Sequence, residues 1–233
     1  MKIGLLSDAH GNDEAFSLGV AFLRRLGATH FYFLGDAIGY VPSTSVLDSL
    51  IRLGDEVSCI LGNHEAMLLK GLIDSKKDEI YLLNSLRSEI TAAHHKMITS
   101  WPISIQKEID GQKMLFVHGS PEDPTYGYVY PDTDIAGFAS DSDWVFMGNT
   151  HHPFIREERG THYVNIGSCG LPRDDGRYGS VALFDTLARS VRIFRFEITA
   201  FSALLLEQYS SVHSSVRALY QRRCDNIFGE IIC

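Results

Sequence analysis

The chain has 233 residues, 21 Lys and Arg against 29 Asp and Glu, a net charge of −8 at pH 7, and 45% hydrophobic residues. That length buries a sizeable core, and the acidic balance excludes long-range attraction to nucleic acid or anionic lipid, so a site for a negative ligand must be built locally. Its 4 cysteines show no paired metal-ligand spacing, and no stretch approaches the ~18 apolar residues of a membrane span, so the chain reads as soluble, reduced and cytoplasmic.

Lys2 to Leu6 reads as a buried strand, and Asp13 to Leu26 as an amphipathic helix with Phe16, Val20, Leu23 and Leu26 on one face. His30 to Leu34 is a second strand. Ser43 to Leu53 is a helix with Ser43 placed to cap it behind Pro42, and Val57 to Leu61 is a third strand. This alternation argues for a largely parallel sheet, in which ligands bind beyond the carboxyl ends of strands. The segment from Asp78 to Ser100 is helical in composition, and Pro102 lies just past it.

After Pro102 the pattern changes. Ile103 to Ile109 and Lys113 to Val117 flank Asp110-Gly111 as a hairpin. Further strands are expected at Trp144 to Met147, Phe154 to Glu158, His162 to Ile166, Ser180 to Asp185 and Val191 to Phe196, with a short helix at Asp132 to Ser140. A terminal helix over about 199–223 carries an apolar stripe. One domain over 1–233, built of two sheets flanked by helices, is the economical reading.

Polar, metal-capable groups follow these strands: Asp8-Ala9-His10, Gly35-Asp36, Gly62-Asn63-His64-Glu65, Val117-His118-Gly119 and Gly148-Asn149-Thr150-His151. Aspartates, imidazoles and amides together form a ligand set for divalent transition metals. In an extended segment residues i and i+2 share a side, so Asp8 and His10 are expected to grip one ion. Taken singly, Asp8 or Asp36 is what many strand-to-turn boundaries hold; the whole set in order is not.

The ordered set D-x-H, G-D-x-x-G-Y, G-N-H-E, H-G and G-x-T-H resembles the calcineurin-like metallophosphoesterase superfamily, in particular its small prokaryotic phosphodiesterase-type members. The resemblance runs from Asp8 to His151 and continues through Asn165-Ile166-Gly167-Ser168 to Pro172-Arg173. It implies an α/β fold, a four-layer αββα sandwich of two mixed β-sheets flanked by helices. It also implies a metal-dependent phosphoric ester hydrolase, a phosphodiesterase or phosphatase, using a metal-bound hydroxide at a dinuclear site.

By that resemblance Asp8, His10, Asp36 and His151 surround the first metal, and Asp36 bridges to a second held by Asn63, His118 and position 149. His64 would contact the phosphate or protonate the leaving oxygen. The residues suit this allocation, because one carboxylate can span ions about 3.5–4 Å apart. One departure stands out: the family pattern G-H-x-H reads Gly148-Asn149-Thr150-His151 here. An amide oxygen is a harder, weaker donor than imidazole, so the second site should bind loosely and favour Mn²⁺ or Mg²⁺. Two divalent ions are expected, Mn²⁺ first, with Fe, Zn, Ni or Mg as alternatives. The adjacent His152 would face the other way in an extended segment. Asn149 also keeps a second reading open, a phosphoesterase fold retained as a binding scaffold with little or no catalysis.

Tyr40 and Arg173 are candidate substrate contacts, an aromatic wall and a phosphate fork. The loop Tyr126-Gly127-Tyr128-Val129-Tyr130 could stack on a nucleoside or leaving group, or pack on the core. Cys169 sits in a glycine-flanked turn without an activating partner and reads as inert. His94 and His95 are placed near the C-terminal end of their helix, where imidazolium suits the dipole. The expected partner is a small phosphate ester or nucleotide, with no stable nucleic-acid binding and no membrane; a homo-oligomer is not legible in the sequence.

Overall fold

A computed structural model of the chain describes residues 1–71, 73–138 and 140–232. Strand β1 (Lys2–Leu6) leads into helix α1 (Asp13–Arg25), which Asn12 caps by accepting from the Ala15 amide at 3.2 Å. Acidic Asp13 and Glu14 open the helix and basic Arg24 and Arg25 close it, matching its dipole. Phe16, Val20 and Leu23 turn inward, as their spacing predicts. Strand β2 (His30–Phe33), helix α2 (Ser45–Leu53), a 3₁₀ turn (Gly54–Glu56) and strand β3 (Val57–Cys59) follow. Ser43 is not the cap of α2: the helix opens one residue later behind Thr44, and the Ser43 hydroxyl accepts from the Ser45 amide at 3.4 Å.

Helix α3 (Asn63–Lys70) then brings the chain into the helical stretch, which is interrupted rather than continuous. It forms α4 (Ser75–Tyr81), α5 (Leu83–Leu86) and α6 (Ala92–Ser100). Leu82 takes a left-handed conformation between the first two, and Thr91 starts the third by accepting from the His94 amide at 3.2 Å. His94 therefore lies in the first turn of α6, not near its end, and its ring reaches Asp48 at 2.8 Å.

The hairpin is strands β4 (Ser104–Ile109) and β5 (Gln112–Val117), with Asp110 and Gly111 both at positive φ in the turn. Strands β6 (Trp144–Met147), β7 (Phe154–Glu158), β8 (Thr161–Asn165), β9 (Tyr178–Asp185) and β10 (Ser190–Glu197) match the expected runs closely. Helices α7 (Thr199–Gln208) and α8 (Ser214–Leu219) replace the single terminal helix expected over 199–223. The break has a local cause. His213 caps α8 through the Ser215 amide, and Arg217 reaches back to the carbonyls of Leu206, Tyr209 and Val212 at the end of α7. The chain closes with β11 (Glu230–Ile232), which the sequence pattern does not announce.

One sheet runs β11-β10-β9-β1-β2-β3 and the other β4-β5-β6-β8-β7, and both mix parallel and antiparallel pairs. Their inner faces pack together through Ile3, Leu5, Tyr32 and Phe184 from the first and Phe116, Phe146 and Val164 from the second. Tyr32 lies flat on Phe116, centroids 3.9 Å apart and planes 3° from parallel. Helices α1, α2 and α6 to α8 cover the outer face of the first sheet around Phe16, Phe31, Phe33 and Val181. On the outer face of the second, Val129, Ile135 and Phe138 from the segment after β5 cover Leu115, Val145 and Tyr163. The helix expected at Asp132 to Ser140 is irregular chain with turns among its described residues; Ala139 lies outside them. Among the described residues no helix is long and apolar enough to cross a membrane.

Candidate metal centre

The five polar motifs all sit just past the carboxyl ends of β1, β2, β3, β5 and β6, where the two sheets meet. Cross-links between the turns hold them in place. The Asp8 amide donates to Gly35 O at 3.0 Å, the His10 amide to Asp36 O at 3.1 Å, and the Gly148 amide to His118 O at 3.0 Å. Asp8, His10, Asp36, Asn149 and His151 all have φ between 47° and 63°, in the left-handed region. Asp, Asn and His visit that region more readily than most residues, yet each still carries a local cost of about 1 kcal/mol. This corrects the extended-segment argument: Asp8 and His10 converge because the backbone curls at both, not because it is straight.

Two glycines make the convergence feasible. A Cβ on Gly62 would run into the Asp36 carboxylate, and one on Gly148 would meet Ser7 and the Asp8 carboxylate. Backbone and carboxylate can therefore approach only at glycine.

The side chains then present lone pairs to one another. His10 spends Nδ1 on Ile38 O at 3.0 Å and His151 spends Nδ1 on Leu171 O, so each proton sits on Nδ1. Their Nε2 atoms face each other at 3.2 Å with nothing to share. His151 Nε2 is also 3.2 Å from Asp8 Oδ1, a buried oxygen without a hydrogen-bond partner. His118 donates from Nδ1 to Leu34 O at 2.6 Å, aiming Nε2 at Asp36 Oδ2, 3.4 Å away. The Asn63 amide oxygen stands 3.1 Å from His118 Nε2. Turned over, that amide would donate its NH₂ to His118 and both Asp36 oxygens; with a cation between them, the oxygen faces inward.

Such a set fits divalent cations. Ligand atoms of Asp8, His10 and His151, of His10, Asp36 and His64, and of Asp8, Asp36 and His118 each lie within 4.8 Å of one another. Asp36 belongs to two of these groups and Asp8 to two. Asn149 is attached differently. Its backbone amide donates to Asp8 Oδ2 at 3.0 Å and its side-chain NH₂ to Gly127 O at 2.7 Å, which leaves its amide oxygen as the atom not spent on the fold. His152 joins none of these groups; its ring lies 5.9 Å from that of Tyr130.

Burial and charge set the protonation. Burial pushes His10 well below the usual histidine range, against the pull of Asp36. Burial lowers His151 as well, and takes His64 down to about 4. Burial opposes the charge on Asp36, but His118 and His64 outweigh it and hold the carboxyl below its ordinary range. Burial likewise opposes a charged His118, and the Asp36 carboxylate overrides it, pushing His118 up to about 10. Buried His10, His64 and His151 are thus held neutral and the carboxylates of Asp8 and Asp36 ionised, the states in which both coordinate metals, while His118 is held protonated by Asp36 and would give up its proton to a bound cation.

Glu65 has a structural task that its place in the motif does not reveal. Its Oε2 accepts from the amides of Asp36 at 2.9 Å and Gly62 at 3.1 Å, and its Oε1 from Ala37 at 2.8 Å and Ile38 at 3.3 Å. One buried carboxylate therefore ties the start of α3 to the turn carrying Asp36. His64, next to it, donates its backbone amide to Asp36 Oδ1 at 3.0 Å and turns Nε2 toward the same carboxylate at 3.8 Å.

Around the mouth, the Tyr40 ring lies 4.7 Å from both His10 and His64, and Tyr81 lies 4.7 Å from His64. Arg173 donates to the Tyr40 hydroxyl at 2.7 Å. Tyr81 was not legible as a site residue, since it falls in a helical stretch without a motif. The supports of Arg173 were equally hidden. Neighbouring Asp174 takes two hydrogen bonds, at 2.6 and 2.9 Å, from Arg195, a fully buried guanidinium on β10. Arg222 donates to Arg173 O at 3.0 Å, and the Cys224 amide donates to Asp175 at 3.0 Å. Cys169 is fully buried, its thiol pushed up by burial, in keeping with an inert role.

Two packed mixed sheets with this cluster at their common edge define a class, and comparison with known proteins names it. A family model described as the calcineurin-like phosphoesterase superfamily domain matches residues 1–189, and the chain belongs to that superfamily. An uncharacterised protein of Methanocaldococcus jannaschii is 29% identical over 218 residues, 84% of this chain and 87% of the relative. A metallophosphoesterase from Sphaerobacter thermophilus shares the fold at a TM-score of 0.79 and 24% identity, covering 95% of this chain and 98% of that one. A hypothetical protein from Pyrococcus horikoshii does so at 0.78 and 17%, covering 94% and 97%.

Proposed function

We propose that the protein is a metal-dependent phosphoesterase that hydrolyses a small phosphodiester or phosphomonoester at a dinuclear centre. The observation that carries this reading is the set of buried lone pairs converging around Asp36, with His10 and His151 facing each other at 3.2 Å. Asp8, His10 and His151 would hold one divalent ion, Asn63, His118 and Asn149 would hold the other, and Asp36 would contribute to both. Mn²⁺ suits the mixed oxygen and nitrogen donors. A divalent pair bound there would polarise the phosphoryl group and lower the pKa of a coordinated water toward neutrality.

The chain's own groups do the rest. Arg173, steadied by Tyr40, presents a fork to the non-bridging phosphoryl oxygens. His64 has no partner at Nδ1, so the tautomer with its proton on Nε2 offers a donor to the phosphoryl or leaving oxygen. Buried Glu65 keeps the Asp36 turn in register with α3.

Asn149 supports a second reading, a scaffold with an impaired second site. Hydrolysis of bis-p-nitrophenyl phosphate by purified protein in excess Mn²⁺, with Asp36→Asn as matched control, separates the two. Turnover that disappears in the variant supports the esterase; equal inactivity of both proteins supports the scaffold.

A further inference from the structure

The segment after His118 is tied to the centre at several points. Asn149 donates to Gly127 O at 2.7 Å, and Thr150 and Asn165 donate to Val129 O at 3.4 and 3.5 Å. Val129 goes into the core at 1% exposure, while Tyr128 and Tyr130 on either side stand 50% and 39% exposed. The alternation puts both tyrosines on one face. Their rings are nearly parallel, planes 9° apart and centroids 6.2 Å apart.

Tyr126 is occupied otherwise, since Lys70 donates to its hydroxyl at 3.1 Å and stands over its ring at 5.0 Å. The pair lies beside the centre, since Gly127, next to Tyr128, accepts from Asn149 and the Tyr130 ring lies 5.9 Å from that of His152. Burial and the nearby Tyr81 hydroxyl raise the Tyr128 phenol while Arg173 draws it back down, and Tyr130 contacts His152, the neighbour of His151. From the centre outward, the rings of His10 and His64 are followed by those of Tyr40 and Tyr81, neighbouring centroids lying 4.7 to 5.3 Å apart.

We propose that Tyr128 and Tyr130 form a stacking platform for a nucleobase, so that the centre takes a nucleoside phosphoester whose phosphoryl group sits by Arg173 and whose base lies on the two rings. The proposal rests on the phosphoesterase reading for its chemistry, but the platform can be tested by binding alone. Base stacking on aromatic side chains tolerates any base and needs no hydrogen-bond readout. A net charge of −8 argues for a mononucleoside ester rather than a polymer. An open pair of hydroxyl-tipped rings offers flat π faces, whereas an acyl chain would need a closed apolar groove.

The test is calorimetric titration of Mn²⁺-loaded protein with adenosine 5′-monophosphate and with ribose 5-phosphate, which differ only in the base. The wild type should bind the nucleotide roughly tenfold tighter. Tyr128→Ala and Tyr130→Ala should each bring the two ligands closer to parity, Tyr128→Phe should keep the difference, and Tyr126→Ala should leave it unchanged. Equal affinities in the wild type, binding of neither ligand, or a preference that survives both alanine variants would each overturn the platform. In parallel, turnover of thymidine 5′-p-nitrophenyl phosphate is compared with that of methyl p-nitrophenyl phosphate, which has the same leaving group. If neither ester is hydrolysed while the base preference holds and depends on the tyrosines, the esterase reading fails and the nucleotide platform stands.

Discussion

His10 and His151 meet Nε2 to Nε2 at 3.2 Å, each with its Nδ1 proton already committed to a backbone carbonyl. Two lone pairs held at that distance in a buried site repel, and a cation between the side chains removes the conflict. Metal loading should therefore be felt by the whole fold. At 100 times its dissociation constant a ligand adds about 2.7 kcal/mol of stability. For a chain of this size that corresponds to roughly 5–10 °C in Tm. Differential scanning calorimetry after chelation and after Mn²⁺ restoration should show that rise, and identical melting curves would refute a metal centre.

The Asn149 side chain is tied to the loop and, on the proposed reading, would also serve the second ion, so its variants should separate by metal content. Asn149→His, restoring an imidazole, should tighten the second site and shift its preference toward Zn²⁺. Asn149→Ala should weaken it by about tenfold or more while the first ion stays bound. Metal-to-protein ratios after dialysis against graded free metal give the answer; identical second-site occupancy in all three proteins would show that position 149 is not a ligand.

Arg173 and Tyr40 are joined at 2.7 Å and should act together on substrate affinity. Arg173→Ala should raise KM and weaken inhibition by inorganic phosphate roughly tenfold, the usual scale for losing a charge-assisted hydrogen bond. Tyr40→Phe should move the same constants in the same direction by less. A fall in kcat with KM and phosphate inhibition unchanged would place Arg173 outside phosphate binding.

The loop carrying Arg173 also has a pH signature. Asp175 accepts two hydrogen bonds from the Arg177 guanidinium, at 2.9 and 2.8 Å, and those bonds hold its carboxyl well below the usual range. A depressed pKa contributes stability that is present above the unfolded value of about 4 and is lost as pH falls toward the folded one. Asp175→Asn should destabilise the fold at pH 7, and the gap to wild type should narrow as the pH drops below about 4. Urea unfolding at a series of pH values would show it; a gap that is constant with pH would mean the ionised form is not what matters.

Most of the frame was legible because strands and turns write themselves locally. Apolar and alternating runs marked β1 to β10, and the candidate ligand residues stood out through their short, ordered motifs. What escaped was set by single capping residues or by distant contacts. The helical stretch before Pro102 splits at Leu82 and Thr91, and the terminal one at His213, where a cap outcompetes helix continuation although composition barely changes. Strand β11 is three residues long and exists through its pairing with β10. Tyr81 and Arg195 gain their meaning only from partners far along the chain, and no spacing rule points to them; Glu65 stands in a motif, but its hold on the Asp36 turn does not show there.

The family-matched portion ends at residue 189, yet Arg173, the proposed phosphate contact, leans on what comes after it: Arg195, Arg222 and the Cys224 amide. Metal ligands and substrate grip therefore answer to different stretches of sequence. The first lie wholly within the family-matched residues, and the second is moored to the segment that follows them. On the proposed reading, a change confined to that segment would alter which esters are held without touching the metal ligands, so substrate choice could be tuned with every motif left intact.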